Sequence, residues 1–448
     1  IKFKNITLRI FRKINQYKKY VVGLMVIFQL LIIISTTLML RSDAAAVFRG
    51  AVEIDSVKQI SQYLSLNINN IFLFLYEKFF YIIFKSNAVW ILQIINILIV
   101  DIAIWISYKI GQRFFDKKIA DIIFWLFTLS LGFTPQFVTM YTDPMTLPIT
   151  AGAIYLIFLI FKKDSTLPSN MPLILLGFLV ALGYIIRPTI VIIYIAFFIV
   201  MILKTILVKK DLIKNFKIIS ITFVTLVVSI LGFKTMIDHQ NIVPIAKNQN
   251  ATIYWFLDLG LTSNGTDQMD LRAGLDAESK KLGLPITDKK VAIADIKRRI
   301  KEYTPASFAR HLKIKTNGLI YDGTFGWNYT ENTITTYYNP LKDKLENNYF
   351  LSKFRNLFIY TEKNHYYIFA VWLQIIYITI IVGYLIFLFR NDFNDKINII
   401  NLAFFGGLLF LTIFEGGKPR YMMQFMPQAI LLASIGLSKL KGANLNKK

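Results

Sequence analysis

Residues 20–40, YVVGLMVIFQLLIIISTTLML, form one uninterrupted apolar run near the start of the chain. A helix needs about 20 apolar residues to cross the hydrocarbon core of a bilayer, so this run predicts a membrane-spanning helix. It is longer than the apolar part of a signal peptide, and no small-residue cleavage site precedes the polar residues after it. We therefore expect an anchor rather than a cleaved leader.

The composition extends this prediction to the whole chain of 448 residues. Hydrophobic residues make up 55% of it and the mean hydropathy is +0.50, which is more apolar surface than a soluble domain can hide. Cysteine is absent, which excludes disulfides and Cys-based metal sites, and three histidines make a His-rich metal centre unfavourable. The net charge of +24 would suggest nucleic acid in a soluble protein. Membrane topology explains it here, so no nucleic-acid partner is expected.

The predicted fold is an all-α polytopic membrane protein with about ten transmembrane helices. Two shorter, charged stretches, 52–65 and 69–85, are predicted to lie on the outer surface, because crossing by 69–85 would invert every later span. This arrangement leaves 24 of the 51 Lys and Arg residues inside and 8 in short outer segments, and the 19 in the long segment 234–365 are exempt from the rule. It predicts a cell-membrane protein with both termini cytoplasmic. The predicted spans are 20–40, 88–108, 119–138, 144–161, 172–186, 189–208, 217–235, 366–389, 397–414 and 421–438.

Three regions follow from this topology. The longest polar stretch is predicted to be a small, mainly α extracellular domain, with amphipathic helices over 288–299 and 305–315 and a turn at 321–327. No internal repeat is present, which argues against inverted-repeat transporter folds. The regions are an N-terminal transmembrane module (1–235) with outer juxtamembrane helices (41–87), the extracellular domain (236–365), and C-terminal transmembrane helices with a basic tail (366–448).

Two acids lie where predicted spans reach the outer surface. Asp43 follows the first span, and a carboxylate beside lipid is costly, so a role as general base is considered beside helix capping. Asp143 precedes Pro144, where capping is the stronger interpretation, although it could orient an acceptor. A third acid, Asp101, lies deep in a span, where a structural hydrogen bond to a neighbouring helix is favoured over function.

Basic residues also lie at predicted outer helix ends. Arg187 separates two very apolar stretches, which favours a phosphate contact over snorkelling to lipid head groups. The stretch EGGKPRY (415–421) brings an acid, two bases and a phenol together, and its glycines let a ligand approach the backbone. A self-contained Glu–Arg pair is the alternative there. Trp255, in the polar region, could stack on a sugar ring, although most aromatic residues in such a domain are core.

In this order along the chain, these features resemble the GT-C superfamily of membrane glycosyltransferases, which use polyprenyl-phosphate sugars and include relatives of protein O-mannosyltransferases and bacterial aminoarabinose transferases. The ordered set is more specific than any one motif. Stretches 255–265 and 321–327 are also similar to the outer domain of Gram-positive enzymes that add single sugars to cell-wall or teichoic-acid glycopolymers. The motifs are Ser42-Asp43 with Phe48 and Ala51, the stretches 63–70 and 92–96, the turn 141–144, Arg187-Pro188-Thr189 and Arg420-Tyr421.

The resemblance implies an inverting sugar transfer on the extracellular face, from a polyprenyl-phosphate donor to a glycopolymer. Family members often carry paired acids after the first span, whereas Ala44 follows Asp43 here, so Asp43 would act alone and metal-dependent versions become less favoured. No cofactor is expected, and a divalent cation stays open. The rival prediction is a transporter or flippase for a lipid-linked sugar, which needs functional polar residues at mid-membrane. The implied roles are Asp43 and Asp143 in catalysis, Arg187, Lys418 and Arg420 on the donor phosphate, and Glu415, Tyr421 and Trp255 on substrate.

Overall fold

The computed structural model of the protein describes most of the chain. Five of the seven basic residues before the first span, residues 36–39 of that span, Arg41, Trp327 and most of the basic tail lie outside the described residues. The described residues are 15–35, 40, 42–162, 170–208, 212–246, 250–263, 265–326, 348–390 and 394–440.

The described residues form helices and contain no strand. We number eighteen α-helices in chain order; short 3₁₀ turns connect several of them. The helices are α1 Lys18–Ser35, α2 Ser42–Ala51, α3 Val57–Leu66, α4 Ile71–Phe84, α5 Ala88–Phe114, α6 Lys117–Phe127, α7 Thr142–Ile160, α8 Met171–Ile186, α9 Val191–Val208, α10 Leu212–Asp238, α11 Ile253–Gly260, α12 Gln268–Leu282, α13 Lys289–Glu302, α14 Pro305–Ile320, α15 Tyr349–Phe358, α16 Tyr366–Arg390, α17 Asp395–Phe414 and α18 Met426–Ser438.

Seven helical stretches of the described chain are long and apolar enough to cross a membrane. Many of their apolar side chains are exposed, and α10 is the clearest case, since Val224, Val228 and Leu231 are each more than half exposed. Large apolar surfaces of this kind need lipid or another partner to cover them. The fold is therefore that of a polytopic membrane protein. The stretches are Lys18–Ser35, Ile68–Phe114, Thr142–Ile160, Pro188–Leu207, Leu212–Asp238, Tyr366–Arg390 and Asp395–Phe414.

Three of the ten predicted spans coincide with shorter helices. The predicted span 172–186 is α8, an apolar helix of 16 residues. The span 119–138 is interrupted: α6 ends at Phe127, a π-helical turn runs to Gly132, and Pro135 opens a separate 3₁₀ turn. Proline cannot donate to a continuing helix and forces the preceding residue into extended backbone, which explains the break. The span 421–438 likewise divides into a 3₁₀ turn and α18.

Helix α18 lies in the middle of the helical bundle, although it is only 13 residues long. It packs against α6, α7, α16 and α17, and every residue from Met426 to Gly436 is buried. A side chain at Gly436 would collide with the carbonyl oxygen of Gly383 on α16, so these two backbones touch. Such small-residue contacts are how membrane helices come close together. The end of α18 farther from the 415–425 turn is thereby held against α16, and the rest of the helix is buried in the core.

Two further groups of helices accompany the bundle. The stretches predicted to lie on the outer surface are observed as helices α3 and α4, of which α4 is apolar and is part of the candidate span Ile68–Phe114. Helices α2, α3 and α4 pack together over an apolar cluster that includes Val47, Phe48 and Leu64. The polar region between α10 and α16, which we call the insert (residues 239–365), contains α11 to α15. The predicted amphipathic helices are α13 and α14. Its last helix, α15, packs on α1 and α16, so the insert is joined to the bundle by contacts as well as by the chain.

Candidate functional site

Acidic and basic side chains from four separate parts of the chain meet at one end of the bundle. Asp43 lies in the first turn of α2, Asp143 in the first turn of α7, and Arg187 directly after α8. The fourth part is the turn between α17 and α18. We call the resulting group the helix-end cluster; it comprises Asp43, Asp143, Arg187, Glu415, Lys418, Arg420 and Tyr421.

Asp143 and Arg187 form an ion pair inside this cluster. The Nη1 atom of Arg187 donates to Oδ1 of Asp143, whose side chain is completely buried, while that of Arg187 is 14% exposed. Asp143 does not cap α7: Tyr141 is the N-cap residue and makes no side-chain capping bond. Arg187 accordingly meets a protein carboxylate rather than snorkelling to the surface. Oδ2 of Asp143 is buried and has no hydrogen-bond partner among the described residues, so half of this carboxylate is still available to a ligand.

Arg420 is held by aromatic rings instead of by a carboxylate. Its guanidinium carbon lies 5.4 Å from the centroid of the Tyr141 ring and 5.3 Å from that of Tyr421. Arg187 stacks on Tyr421 as well, at 5.0 Å. Stacking fixes the plane of a guanidinium without neutralising its charge. In the described part of the chain no carboxylate forms an ion pair with Arg420, and its buried Nε has no hydrogen-bond partner, so this cation can still bind an anion.

Asp43 forms no ion pair among the described residues, and its hydrogen-bond partner there is a phenol. Tyr63 of α3 donates its hydroxyl proton to Oδ1 of Asp43 at 3.0 Å, and Nδ2 of Asn70 donates to the Tyr63 oxygen at 2.8 Å. Asp43 is half-buried and Asn70 is buried. Asp43 is the second residue of α2. The hydrogen bonds from Asn70 to Tyr63 and from Tyr63 to Asp43 fix the direction of its carboxylate.

Electrostatic effects connect the members of the cluster. Burial raises the pKa of Tyr141, and the charge of Asp43 raises it further, while Arg420 opposes both. Burial and then the charge of Arg420 lower the pKa of Lys418, which Asp43 and Glu415 oppose. Asp43 therefore lies within electrostatic reach of Lys418, although it forms no ion pair with a cation in the described structure.

The turn at 415–417 is fastened to the insert by a buried lysine. Lys315 of α14 is fully buried, and its Nζ donates to the carbonyl oxygens of Gly260 (2.8 Å) and Ile413 (3.2 Å). Burial lowers its pKa to about 8, against the opposing effect of Glu415. Behind it, Gly318 approaches Gly417 so closely that a Cβ atom would overlap the Gly417 carbonyl oxygen. These contacts set the position from which Lys418 and Arg420 follow.

Glu415 does not form the self-contained pair considered from sequence. No ion pair joins it to Arg187 or Arg420 in the described structure. Burial raises its pKa, and the charges of Arg187 and Lys315 oppose that change. Glu415 therefore interacts electrostatically with Arg187 and Arg420 without forming an ion pair with either.

Two other candidates lie outside the cluster. Trp255 on α11 packs against a small apolar cluster of the insert that contains Leu271 and Leu275, which is the core position given as its alternative. Asp101 accepts a hydrogen bond from Nε2 of Gln29 on α1 at 2.9 Å, which is the helix-to-helix bond that sequence favoured. Within the described residues, no group of three or more His, Asp or Glu side chains is arranged to hold a metal ion.

Several residues of the site were not singled out from sequence. Tyr63 and Asn70 belong to a stretch used only for the resemblance, and Tyr141 to a turn valued for its acid. Lys315 ends a predicted amphipathic helix, where a lysine ordinarily faces water. The available signal was the polar Tyr–Asn spacing just before an apolar helix, and it does not say which side chain these residues meet.

Comparisons with known proteins agree with the fold. A model of the family described as conserved hypothetical integral membrane protein matches residues 1–441. The comparison with curated proteins and that with solved structures gave no match. The matched range covers all the transmembrane helices, the insert and the helix-end cluster. The chain therefore belongs to this family of conserved hypothetical integral membrane proteins.

Proposed function

We propose that the protein is an inverting membrane glycosyltransferase of the GT-C type, which moves a single sugar from a polyprenyl phosphate to a cell-wall or teichoic-acid-type glycopolymer on the extracellular face. One observation carries the proposal. Among the described residues, a carboxylate without a cationic partner (Asp43) and an arginine without an acidic one (Arg420) share a cluster built from distant parts of the chain. Transfer of a sugar from a phosphate needs both, a base for the acceptor and a cation for the leaving group.

In the proposed reaction, the acceptor hydroxyl attacks the anomeric carbon while Asp43 takes its proton. The new carbon–oxygen bond forms as the bond between the anomeric carbon and the phosphate oxygen breaks, and the electron pair leaves with the polyprenyl phosphate. This product already carries its charge, so it needs a cation rather than a proton. Arg420 and Lys418 supply that charge, and no covalent enzyme intermediate is required.

The Asp143–Arg187 pair has a supporting role in this scheme. Asp143 occupies one side of the Arg187 guanidinium, so the N–H groups on its other side can bind the donor phosphate. The free Oδ2 of Asp143 can accept a hydrogen bond from the acceptor or the sugar. Glu415 and Tyr421 border the same space, whereas Trp255 packs in the apolar cluster of the insert.

The test is transfer of radiolabelled sugar from undecaprenyl-phosphate donors to isolated cell-wall polymer. We expect Asp43→Asn to lower the rate at least about 100-fold while expression and donor binding survive. Asp55→Asn is the matched control, since Asp55 lies just beyond the same helix but pairs with Arg49. Equal incorporation by wild type and Asp43→Asn would remove Asp43 as the base. No incorporation from any donor would favour the flippase.

A further inference from the structure

Asp43 has hydrogen-bonded support that the proposed reaction does not yet use. The three helices α2, α3 and α4 follow one another in the chain and pack together. Tyr63 reaches Asp43 from α3, and Asn70 reaches Tyr63 from the 3₁₀ turn before α4. Side chains from α2, from α3 and from the 3₁₀ turn before α4 therefore form one chain of hydrogen bonds.

The direction of the two bonds is set by chemistry. A phenol has one proton, and a carboxylate has none to give, so the Tyr63 hydroxyl donates to Asp43. The Tyr63 oxygen is then the acceptor for the amide of Asn70. A hydrogen bond donated to one carboxylate oxygen fixes the orientation of the carboxylate group. Burial and then the charge of Asp43 raise the pKa of Tyr63, which keeps the phenol protonated and able to donate.

The surroundings hold Tyr63 in place from the other side. Helix α3 begins with a capping box in which Ser56 and Gln59 bond each other's backbone amides. The same helix is also bonded to the insert. The Ser65 hydroxyl of α3 accepts a hydrogen bond from the amide of Ala246, and the Leu66 carbonyl accepts one from the amide of Ala251. The phenol therefore projects from a helix that is fixed at its start and along its side.

We propose that Tyr63 is a positioning residue for Asp43: it fixes the direction in which the carboxylate faces, and Asn70 orients the phenol for this task. The catalytic part rests on the proposed function, in which Asp43 is the base. Rotating that carboxylate would slow proton transfer without weakening donor binding. The other groups whose charges reach Asp43 are Tyr141 and Lys418, and the variants below leave both in place.

The experiment measures two properties of Tyr63→Phe and Asn70→Asp in the full-length protein. The first is sugar transfer, as kcat and as KM for the donor. The second is the rate, at one fixed pH, at which a water-soluble carbodiimide and an amine label the Asp43 carboxyl, read by mass spectrometry, which reports how accessible that carboxyl is. Tyr76→Phe is the matched control: it deletes the same atom from neighbouring α4, where the hydroxyl has no hydrogen-bond partner among the described residues.

We expect Tyr63→Phe to lower kcat about tenfold with KM for the donor unchanged, and to speed the labelling of Asp43 several-fold, because Oδ1 loses its hydrogen-bond donor. Asn70→Asp should change kcat and the labelling rate in the same direction, because the new carboxylate competes with Asp43 for the phenol proton. Tyr76→Phe should match wild type. A folded Tyr63→Phe protein whose labelling rate equals that of wild type would overturn the inference.

Failure of the proposed function gives a different pattern. If wild type transfers no sugar from any donor while the labelling rate still rises in Tyr63→Phe, the glycosyltransferase proposal fails and the positioning of Asp43 by Tyr63 stands. If wild type is active and Asp43→Asn is not, yet neither measurement moves in Tyr63→Phe, the glycosyltransferase proposal stands and Tyr63 is only structural.

Discussion

The helix-end cluster and the charge network of the insert use arginine in opposite ways. In the insert, Arg299 forms ion pairs of 2.8–2.9 Å with Asp258, Asp270 and Asp295, and its side chain is only 6% exposed. In the cluster, Arg420 stacks between two phenols and has no carboxylate partner in the described structure. An arginine with three acids is already satisfied, whereas one held by rings keeps its charge for a ligand. The contrast separates a network that stabilises from a cluster that can bind.

The largest expected effect is on stability, from Arg299→Met. This variant leaves Asp258 and Asp295, both completely buried, without their shared cation, and breaking a buried ion pair costs about 3–5 kcal/mol. Thermal unfolding in detergent would show a strongly lowered Tm. Arg298→Met is the control, since Arg298 is about one-third exposed and its loss should cost no more than about 1 kcal/mol. Equal small shifts would contradict the stabilising role of the network.

Arg420→Met tests the other side of the comparison. We expect transfer to fall about 100-fold, because the leaving phosphate loses its cation, while Tm stays close to wild type since no carboxylate is left unpaired. Arg420→Lys keeps the charge but loses the planar stack on Tyr141 and Tyr421, and should recover only part of the rate. Loss of folded protein in parallel with activity would place Arg420 with Arg299, as a structural residue.

The Asp143–Arg187 pair is intermediate between the two, because it is one cation with one acid. Arg187→Met should destabilise the protein more than the double variant Arg187→Met with Asp143→Asn, since only the single change leaves a charged, fully buried carboxylate. A double-mutant cycle on thermal stability should give a coupling of about 1–2 kcal/mol. Additive effects would show that the two side chains act independently.

The smallest effect is a pH dependence from Lys315. Its pKa is lowered to about 8 from 10.5, so its protonated form is the disfavoured one in the folded protein. Its burial therefore costs most stability below pH 8, and the cost is relieved as the pH rises from about 8 toward 10.5. Relative to Lys315→Met, wild type should gain about 1 kcal/mol between about pH 7.5 and pH 9, measured as the difference in Tm. An unchanged difference would mean that Lys315 stays charged throughout.

Much of the fold follows from apolar runs and turn residues. The long runs predicted the helical membrane class, and the bounds of α3, α4 and the two amphipathic helices of the insert were predicted to within a few residues. The location of α3 and α4 on the outer surface stays a prediction. The interruption of 119–138 was not predicted, because hydropathy averages over Gly132 and Pro135, although proline gave the local signal. The same averaging merged the 3₁₀ turn at 419–425 with α18.

The site was predictable as a set and not as pairs. Counting spans from a basic N-terminus put Asp43, Asp143, Arg187 and Arg420 at helix ends on one side, and these residues do lie together. Which acid pairs with which base depends on the direction of each side chain, and a shift of one residue along a helix changes that direction. Asp143 was expected to cap and instead pairs with Arg187, while Asp43 meets Tyr63, twenty positions further along the chain. No local pattern contains that information.

The close approach of Gly318 to Gly417 has a consequence for how such proteins can diversify. Because the two backbones touch, neither glycine can be replaced without moving the other segment. The insert and the 415–420 turn must therefore evolve together, although nearly a hundred residues separate Gly318 from Gly417. A chimera that receives a foreign insert should work only if it also receives the matching turn, and recombination between the two would be selected against.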